Sequence, residues 1–428
     1  MSMKRAVLVI CDGLRADMVT PALTPNLCRI AAGGTVFTHH CSVFPSTTRT
    51  TSASIATGCH PARHGLEGNC VALDEGRGLT VMSVGPPDFR DRLRKATGKT
   101  LRVPTLAERL ETLAERLENH GGCIVYSNVS AGAAYFQDPD GHGYVYHRQG
   151  SFGPGLQKLP AGEGLSVSHD AAGDTAMTER FVNEVLGERK PRLAVLWQCE
   201  PDHTQHARPL GSPDHEAVIA AADLNAGRVA DVVKRTAGGD DVLLIIASDH
   251  GHETVESIVR LETLLVGAGL KDAEDSTEVA VASNGFSANI YVSDTARGRI
   301  DAICRFLKGL NEVERVFAGD SLAEVGQRAD GTLAIAVTPR RSDAKNAFGW
   351  PGMSVAFDNP LATETVVGCG QHGGLGPYEQ NPFLIVRGGG FKAGRVDAPS
   401  SAVDIAPTIL AHLGLPFAGM DGKPLATA

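Results

Sequence analysis

The chain has 428 residues, of which 42% are apolar and 21% are charged, a composition typical of a globular protein with one large core or two domains. Its formal net charge of -9 and the lack of a basic run argue against a nucleic acid duplex as partner. No window is apolar for long enough to predict a membrane span. The nine cysteines form no CxxC pair, which indicates reduced thiols and a cytoplasmic protein.

The first predicted element is a buried strand, and the same pattern recurs three times along the chain. In each case a continuous apolar run ends at polar residues: Lys4–Ile10, Arg192–Trp197, Asp241–Ser248 and Asn381–Arg387. Such runs predict strands that are buried on both faces of a mostly parallel sheet, with helices covering both faces. We therefore expect an α/β fold in which Asp12, Asp202 and Asp249, just beyond three of these strands, lie on one rim of the sheet.

Two segments between the strands have helical patterns. The segment Thr105–Asn119 contains two copies of a seven-residue unit. Two heptads are too few for a coiled coil and favour one amphipathic helix packed on the sheet. The segment Ser212–Arg235 predicts a second helix, because Ser212 is a suitable N-cap and Pro213 suits the first helical position.

Residues 255–365 depart from this pattern and predict a small inserted α+β cap. Their expected elements are strands at Glu278–Ala282, Ala288–Val292 and Thr332–Val337, with a helix at Ile300–Leu310. The core would then consist of residues 1–254 and 366–428.

Residues suited to metal binding or nucleophilic attack occur in several short segments. Singly, an Asp here is compatible with a helix cap and a His with an ordinary hydrogen-bonded residue. Together they put carboxylates and imidazoles after successive strands, and these side chains are suitable zinc ligands: Asp12, Asp202, His206, Asp249, His250 and His372. Two segments could hold a nucleophile, VFPSTTRTTS at 43–52 and CHPAR at 59–63.

The chain resembles the alkaline phosphatase superfamily, and within it the nucleotide pyrophosphatase/phosphodiesterase branch. The segments that carry the resemblance occur in the family's order: VLVICDGLRAD (7–17), TPNLCRIAAGG (24–34), FPSTT (44–48), ATGCHPARHGLEGN (56–69), PDHTQH (201–206), SDHGH (248–252), QHGG (371–374) and SAVDIAPTILAHLGLP (401–416). The resemblance covers the core and leaves the cap out.

The resemblance implies that Thr48 is the nucleophile. CHPAR matches the C-x-P-x-R pattern of sulfatases only superficially, because in sulfatases that pattern precedes the TG-x-x-P-x-x-HG element, whereas Cys59 lies inside it. Counting back from Thr57 by the sulfatase spacing reaches Thr48. The position at which a sulfatase would carry Arg is Ser52.

The resemblance also implies two zinc ions per chain, with Mn²⁺ or another divalent metal as the alternative. One ion would be surrounded by Asp12, Asp249, His250 and Thr48. The other would be held by Asp202, His206 and His372. Asn69 would donate a hydrogen bond to a phosphoryl oxygen. His203 and His252, close to ligands in sequence, are expected at most to support them.

The expected activity is hydrolysis of a phosphodiester or pyrophosphate bond through a covalent phospho-threonine intermediate. Relatives that act on dianionic substrates carry Lys-x-Lys or Lys-x-Arg after the next core strand, and here residues 127–131 contain no lysine. This favours a monoanionic diester, although Arg49 or Arg148 could replace the missing charge. The alternative is a phosphonoacetate-type phosphonate hydrolase or a phosphomonoesterase.

The expected partner is a small phosphorylated or phosphonate substrate, whose second substituent would pack on the cap. The sequence also allows a homodimer. Residues 138–148 either shape the leaving-group pocket or form a surface loop.

Overall fold

The computed structural model describes residues 3–114, 122–235, 241–359, 361 and 365–427. In chain order the strands are β1 (Arg5–Cys11), β2 (Thr35–Phe37), β3 (His40–Cys41), β4 (Cys70–Asp74), β5 (Leu79–Ser83), β6 (Cys123–Ser127), β7 (Tyr144–His147), β8 (Phe152–Gly153), β9 (Gln157–Lys158), β10 (Leu193–Gln198), β11 (Val242–Ala247), β12 (Glu253–Val259), β13 (Val279–Ser283), β14 (Ala288–Val292), β15 (Val313–Ala318), β16 (Leu333–Pro339), β17 (Arg341–Lys345), β18 (Pro351–Phe357), β19 (Gly370–Gln371), β20 (Leu384–Arg387), β21 (Gly394–Val396) and β22 (Ser400–Ser401).

The α-helices, again in chain order, are α1 (Pro25–Ala31), α2 (Thr48–Thr57), α3 (Pro61–His64), α4 (Phe89–Thr97), α5 (Leu106–Ala114), α6 (Ala131–Tyr135), α7 (Ala171–Arg180), α8 (Asp202–Gln205), α9 (Pro213–Arg235), α10 (Leu261–Gly267), α11 (Ile300–Lys308), α12 (Pro377–Gln380) and α13 (Ile405–Leu413).

A ten-stranded sheet forms the centre of the fold, in the order β21-β2-β20-β11-β1-β10-β6-β7-β8-β9. Its five middle strands, from β11 to β7, run parallel to one another. Alternate side chains of β1 point to opposite faces, as the strand geometry requires. Leu8 packs in the same cluster as Leu410 of α13, and Val9 packs in the same cluster as Val229 of α9. The predicted α/β class with helices on both faces is confirmed.

The fourth predicted strand is present but runs against its neighbour. It forms β20, which pairs antiparallel with β11, so that Leu244 lies opposite Arg387. Strand β2 pairs antiparallel with the other side of β20. An apolar run shows that a strand is buried but carries no information about its direction, so the pattern could not have predicted this antiparallel edge.

Residues 255–365 contain the expected strands and helix. Strands β13, β14, β16 and β15 form an antiparallel sheet, and α11 packs on β15 and β16. A further sheet, β17-β18-β12-β19, crosses both predicted boundaries, because β12 begins at Glu253 and β19 follows residue 366. The division into core and cap at 254/255 and 365/366 stays a prediction.

The two predicted helices also have counterparts. The repeat at Thr105–Asn119 gives α5, with Leu106 and Leu110 buried in the main core, and the part of the repeat after Ala114 lies outside the described residues. The helix predicted from Ser212 is α9, which begins at Pro213. Within the described ranges, no helix combines the length and hydropathy needed to cross a bilayer. All nine cysteines are free.

Candidate active site

Three carboxylates follow three neighbouring strands of the central sheet. Asp12 comes directly after β1, Asp202 opens α8 soon after β10, and Asp249 follows β11. Because these strands are adjacent and parallel, their carboxyl ends meet at one edge, where α/β sheets place their sites. The backbone N–H of Asp202 donates to the Asp12 carbonyl at 3.0 Å, and the N–H of Gly13 donates to Asp249 Oδ1 at 3.2 Å.

Gly13 lets these loops approach one another closely. Its φ is +69°, a left-handed conformation that favours glycine. A Cβ at this position would lie 2.9 Å from His252 Nε2 and 3.0 Å from Asp202 Cβ. A side chain at position 13 would therefore push His252 and Asp202 away from this loop.

Thr48 presents its hydroxyl to this edge from the first position of α2. The Thr48 Oγ1 atom lies 3.0 Å from His250 Nε2 and 3.5 Å from Asp12 Oδ1. The N-terminus of a helix carries a partial positive charge and favours anions such as a phosphoryl group. The hydroxyl therefore lies at a helix N-terminus that favours an anionic ligand.

Carboxylate and imidazole groups form two clusters that share Asp202. In each cluster one potential ligand atom per residue lies within 4.8 Å of all the others: Asp202, His206, His252 and His372 in the first cluster, and Asp12, Asp202 and His250 in the second. In the first cluster, Asp202 Oδ1 is 2.8 Å from the Nε2 of His252, 3.4 Å from that of His206 and 3.5 Å from that of His372.

The structure brings together all six metal-binding candidates and Thr48, but it groups them differently from the sequence-based prediction. The carboxylate of Asp202 belongs to both clusters and not to one alone. Asp249 adjoins the second cluster, with its Oδ2 atom 3.3 Å from His250 Nε2. His252, which was expected only to support the ligands, is fully buried in the first cluster. Its own segment of the sequence did not mark it as a cluster residue, because the room for its ring is left by Gly13 and Gly370, which are far from each other in sequence.

Burial and the nearby charges strongly shift the pKa values of the clustered carboxylates and imidazoles. Burial, with Asp249 and Asp202 nearby, raises the pKa of Asp12 well above its ordinary value. Burial also acts to raise the pKa of Asp202, but His206 and His252 outweigh it and hold this pKa well below its ordinary value. Burial lowers the pKa of His252 to about 3. The imidazole is therefore neutral at neutral pH, which is the form that binds metals.

The donor set fits divalent cations. Three carboxylates converge in a largely buried site, which is costly unless a cation compensates their charge. Two buried polar atoms, Asp249 Oδ2 and His252 Nδ1, have no hydrogen-bond partner among the described residues. Aspartate and neutral histidine are typical zinc ligands.

Several residues around the clusters fix the orientation of the candidate ligands. Trp197 Nε1 donates to Asp12 Oδ2 at 2.8 Å, and the Nδ1 of His372 lies 2.8 Å from the carbonyl oxygen of Ser46. Such contacts hold a ligand in one rotamer and tune its basicity. Asn69 accepts the backbone N–H of Arg49 through Oδ1 at 3.0 Å, so its amide NH₂ is left to donate towards the cavity that it lines.

The clusters open into a cavity of about 580 Å³. Its described lining belongs to residues 12–218 and His372, and outside the clusters it includes Val129, Ser130, His169, His203, Thr204 and Arg208. No residue of 255–365 lines this cavity among the described residues, so the expectation that a second substituent packs on the cap finds no support in the cavity's shape. None of residues 138–148 lines it either, although Arg148 donates to the Val129 carbonyl at 2.6 Å and thereby supports one wall.

The comparisons with known proteins agree with this geometry. The sequence profile of the family described as "Type I phosphodiesterase / nucleotide pyrophosphatase" matches residues 6–330. The chain belongs to this family. The match confirms the predicted relationship to the alkaline phosphatase superfamily, and it makes the protein a hydrolase that acts on phosphodiester bonds.

Solved structures of similar proteins share the fold. The chain is similar to murine ectonucleotide pyrophosphatase/phosphodiesterase 5 (ENPP5), with 18% identity, a TM-score of 0.68 and coverage of 98% of each chain. A second murine ENPP5 structure, an inactive variant in complex with AMP, has 17% identity and a TM-score of 0.67, over 99% of this chain and 98% of that one. Human ENPP5 has 17% identity and a TM-score of 0.66, over 99% and 97%.

The two candidate nucleophile segments of this phosphodiesterase family member lie at opposite ends of α2. Thr48 begins the helix at the cavity, whereas Cys59 follows Gly58 beyond its end. Cys59 is 1% exposed, and its Sγ contacts the Gly419 carbonyl at 3.9 Å. Burial raises the pKa of the Cys59 thiol, so little reactive thiolate is present at neutral pH. The structure thus keeps Cys59 away from the clusters.

Proposed function

We propose that this hydrolase cleaves phosphodiester or pyrophosphate bonds with two zinc ions and a covalent threonine intermediate. The observation that carries the proposal is the Thr48 hydroxyl, 3.0 Å from His250 Nε2 and beside two clusters that share Asp202. A threonine hydroxyl alone is a weak nucleophile at neutral pH and needs activation. The clusters provide a site for the cations that supply it.

The metal-binding residues divide into two sets. Asp202, His206 and His372, with His252 beside them, would hold one ion. Asp12, Asp249, His250 and Thr48 would surround the other, with Mn²⁺ or another divalent metal as the alternative to zinc. Zinc in such a site supplies a Lewis acid that stabilises an alkoxide and polarises a phosphoryl oxygen. Neutral imidazoles and carboxylates are among the donors that bind this ion in proteins.

The residues of the chain have distinct tasks in the proposed reaction. Thr48 Oγ1 gives up its proton and forms a bond to phosphorus as the bond from phosphorus to the leaving oxygen breaks, and the leaving oxygen departs with the electron pair of that bond. A water oxygen then displaces Thr48 and regenerates the hydroxyl. The Asn69 amide donates to a non-bridging phosphoryl oxygen, and the α2 N-terminus stabilises the same negative charge.

One relative supports a threonine nucleophile. The murine ENPP5 structure in complex with AMP is of an inactive variant in which alanine replaces a threonine. A threonine that is necessary for activity in a protein of this fold is consistent with the role proposed for Thr48.

The test compares two variants of the zinc-loaded protein, with bis-p-nitrophenyl phosphate as substrate. Thr48→Ala should lower kcat by about a thousandfold or more, because the attacking oxygen is lost, and it should retain most of its zinc. Cys59→Ala is the matched control, since it also removes one heteroatom adjoining α2, and it should retain activity. An active Thr48→Ala together with an inactive Cys59→Ala would overturn the proposal.

A further inference from the structure

One cation lies directly beside the candidate nucleophile. Arg49 follows Thr48 in the first turn of α2 and lines the cavity together with Asn69. Its Nε donates to Ser130 Oγ at 3.0 Å, and its Nη1 donates to the Asn69 carbonyl at 3.2 Å. Both contacts tie the guanidinium to the wall of the cavity.

The Arg49 guanidinium forms no close ion pair, although the Asp202 and Asp12 carboxylates act on its charge from farther away. Among the ion pairs within 4.0 Å formed by the described residues, none includes Arg49, and its two side-chain hydrogen bonds go to a neutral hydroxyl and a neutral carbonyl. Arg49 is partly buried, and a guanidinium with reduced access to water gains from an anion close to it. The cavity therefore favours an anionic group of a bound molecule at this point, where a charge-assisted hydrogen bond could form.

The position of the guanidinium is built into the surrounding loops. A Cβ on Gly85 would lie 2.7 Å from Arg49 Nη2, so the guanidinium packs directly against this glycine. The Gly85 carbonyl in turn accepts the N–H of Gly132, which belongs to α6, the helix that follows β6. Ser130, the partner of Arg49 Nε, lies in the same connection. The segment after β6, which contains no lysine, thus anchors an arginine that comes from the nucleophile's helix.

Two other arginines near the cavity are less suited to bind an anion. Arg208 lines the cavity, but it pairs with Asp214 at 3.0 Å and both side chains are exposed. Arg148 is not part of the described lining, and its Nη1 donates to the carbonyls of Asn128 and Val129. Within the described part of the chain, Arg49 is the cavity-lining arginine that forms no ion pair within 4.0 Å.

We propose that Arg49 is a specificity-determining residue that binds a second anionic group of the substrate, beyond the one negative charge of a simple diester. This inference rests on the proposed function, because it assigns Arg49 a part in the same reaction. The second charge has two sources with the same chemistry. It lies either on the transferred phosphorus, as in a monoester or a phosphonate, or on a leaving phosphate, as in a diphosphate.

The experiment uses three p-nitrophenyl substrates, and the products, p-nitrophenolate or p-nitrophenyl phosphate, are separated and quantified by chromatography. Bis-p-nitrophenyl phosphate carries one charge, p-nitrophenyl phosphate has its second charge on the transferred group, and bis(p-nitrophenyl) diphosphate has it on the leaving group. Values of kcat/KM are measured for the zinc-loaded wild type and for Arg49→Met, Arg49→Lys and Arg208→Met. Zinc content and circular dichroism verify that each variant is folded and loaded.

Arg49→Met should lower kcat/KM for at least one of the doubly charged substrates by about 10²-fold more than for the singly charged diester, because one electrostatic donor is removed. Arg49→Lys should recover part of this loss, and added guanidinium ion should partly rescue Arg49→Met on the same substrate. Arg208→Met should leave the ratio between substrates unchanged. The substrate that loses most identifies which of the two sources Arg49 recognises.

Two results separate the failure of this inference from the failure of the proposed function. If Arg49→Met lowers kcat/KM for all three substrates by the same factor, the specificity role is wrong, while the threonine mechanism stands. If the zinc-loaded wild type turns over none of the three substrates, the proposed function itself fails. In the first case, the response to added guanidinium gives one more piece of information. If guanidinium does not restore the activity of Arg49→Met, the role of Arg49 is purely structural.

Discussion

The Trp197→Phe substitution should weaken zinc binding at the cluster that contains Asp12. Trp197 is 1% exposed at the end of β10, and its indole Nε1 donates to Asp12 Oδ2 at 2.8 Å. Phenylalanine keeps an aromatic ring in the core but removes this donor. The other carboxylate oxygen of Asp12 faces Thr48 and His250. The lost hydrogen bond is therefore the one that orients the Asp12 carboxylate from the side opposite the cluster.

The expected size of the effect follows from this single contact. A hydrogen bond to a charged group is worth about 1.5–3 kcal/mol, and loss of a contact that orients a metal ligand typically lowers metal affinity about 10–100-fold. The Trp197 hydrogen bond also lowers the pKa of Asp12, against the larger raising effect of burial. Without it the pKa of Asp12 rises further, and since zinc binds the deprotonated carboxylate, the defect should grow as the pH falls.

The assay is competition for zinc between the protein and a chromophoric chelator, at several pH values. One of two binding steps should weaken in Trp197→Phe, while the other changes less. Tyr126→Phe is the matched control, because it removes a buried aromatic donor, to Glu184 at 2.9 Å, from the neighbouring strand β6. Equal zinc affinity in Trp197→Phe and wild type at every pH would refute the reasoning.

Three further predictions concern His252, Gly13 and Glu379. His252→Ala should lower the zinc affinity of the first cluster by about 10-fold or more, measured as zinc lost on dialysis. If the variant retains as much zinc as the wild type, His252 does not contribute to zinc binding. Gly13→Ala should cost about 1–3 kcal/mol of unfolding free energy in denaturant titrations and reduce activity, because the residue has φ +69° and its Cβ would collide with His252; wild-type stability would contradict this. Burial, with the Glu253 carboxylate nearby, raises the pKa of Glu379 from 4.5 to about 8. Between these values the folded state keeps a proton that the unfolded state has lost, so wild-type stability falls as pH rises. The free energy of unfolding of Glu379→Gln should therefore rise relative to that of the wild type by up to about 1.4 kcal/mol per pH unit in this window. A difference in unfolding free energy that does not change with pH would be inconsistent with the raised pKa.

The sequence predicted the strands and the carboxylates of the site for a clear physical reason. Continuous apolar runs identify strands buried on both faces, and the parallel pairing of β1 with β10 and β11 then brings Asp12, Asp202 and Asp249 to one edge. The single helical turn between Asp202 and His206 was also readable, because residues four apart lie on one face.

Other features depend on contacts between distant parts of the chain. The direction of β20 is set by its pairing with β11 and β2, which its own apolar run does not encode. His252 enters the first cluster because Gly13 and Gly370, far apart in sequence, both leave space for its ring. The role inferred for Arg49 depends on its hydrogen bond to Ser130. From the sequence, the segment that contains Ser130 was notable only because it lacks lysine, so this contact could not be predicted.

The stereochemical course at phosphorus tests the central claim most directly. A chiral phosphorothioate diester would be hydrolysed by the zinc-loaded protein in heavy-oxygen water, and the configuration of the product determined. Attack by Thr48 followed by attack of water gives two displacements at phosphorus, each with inversion, so the account predicts net retention. This outcome does not require the intermediate to accumulate. Net inversion would show a single direct displacement by water and would contradict the threonine nucleophile.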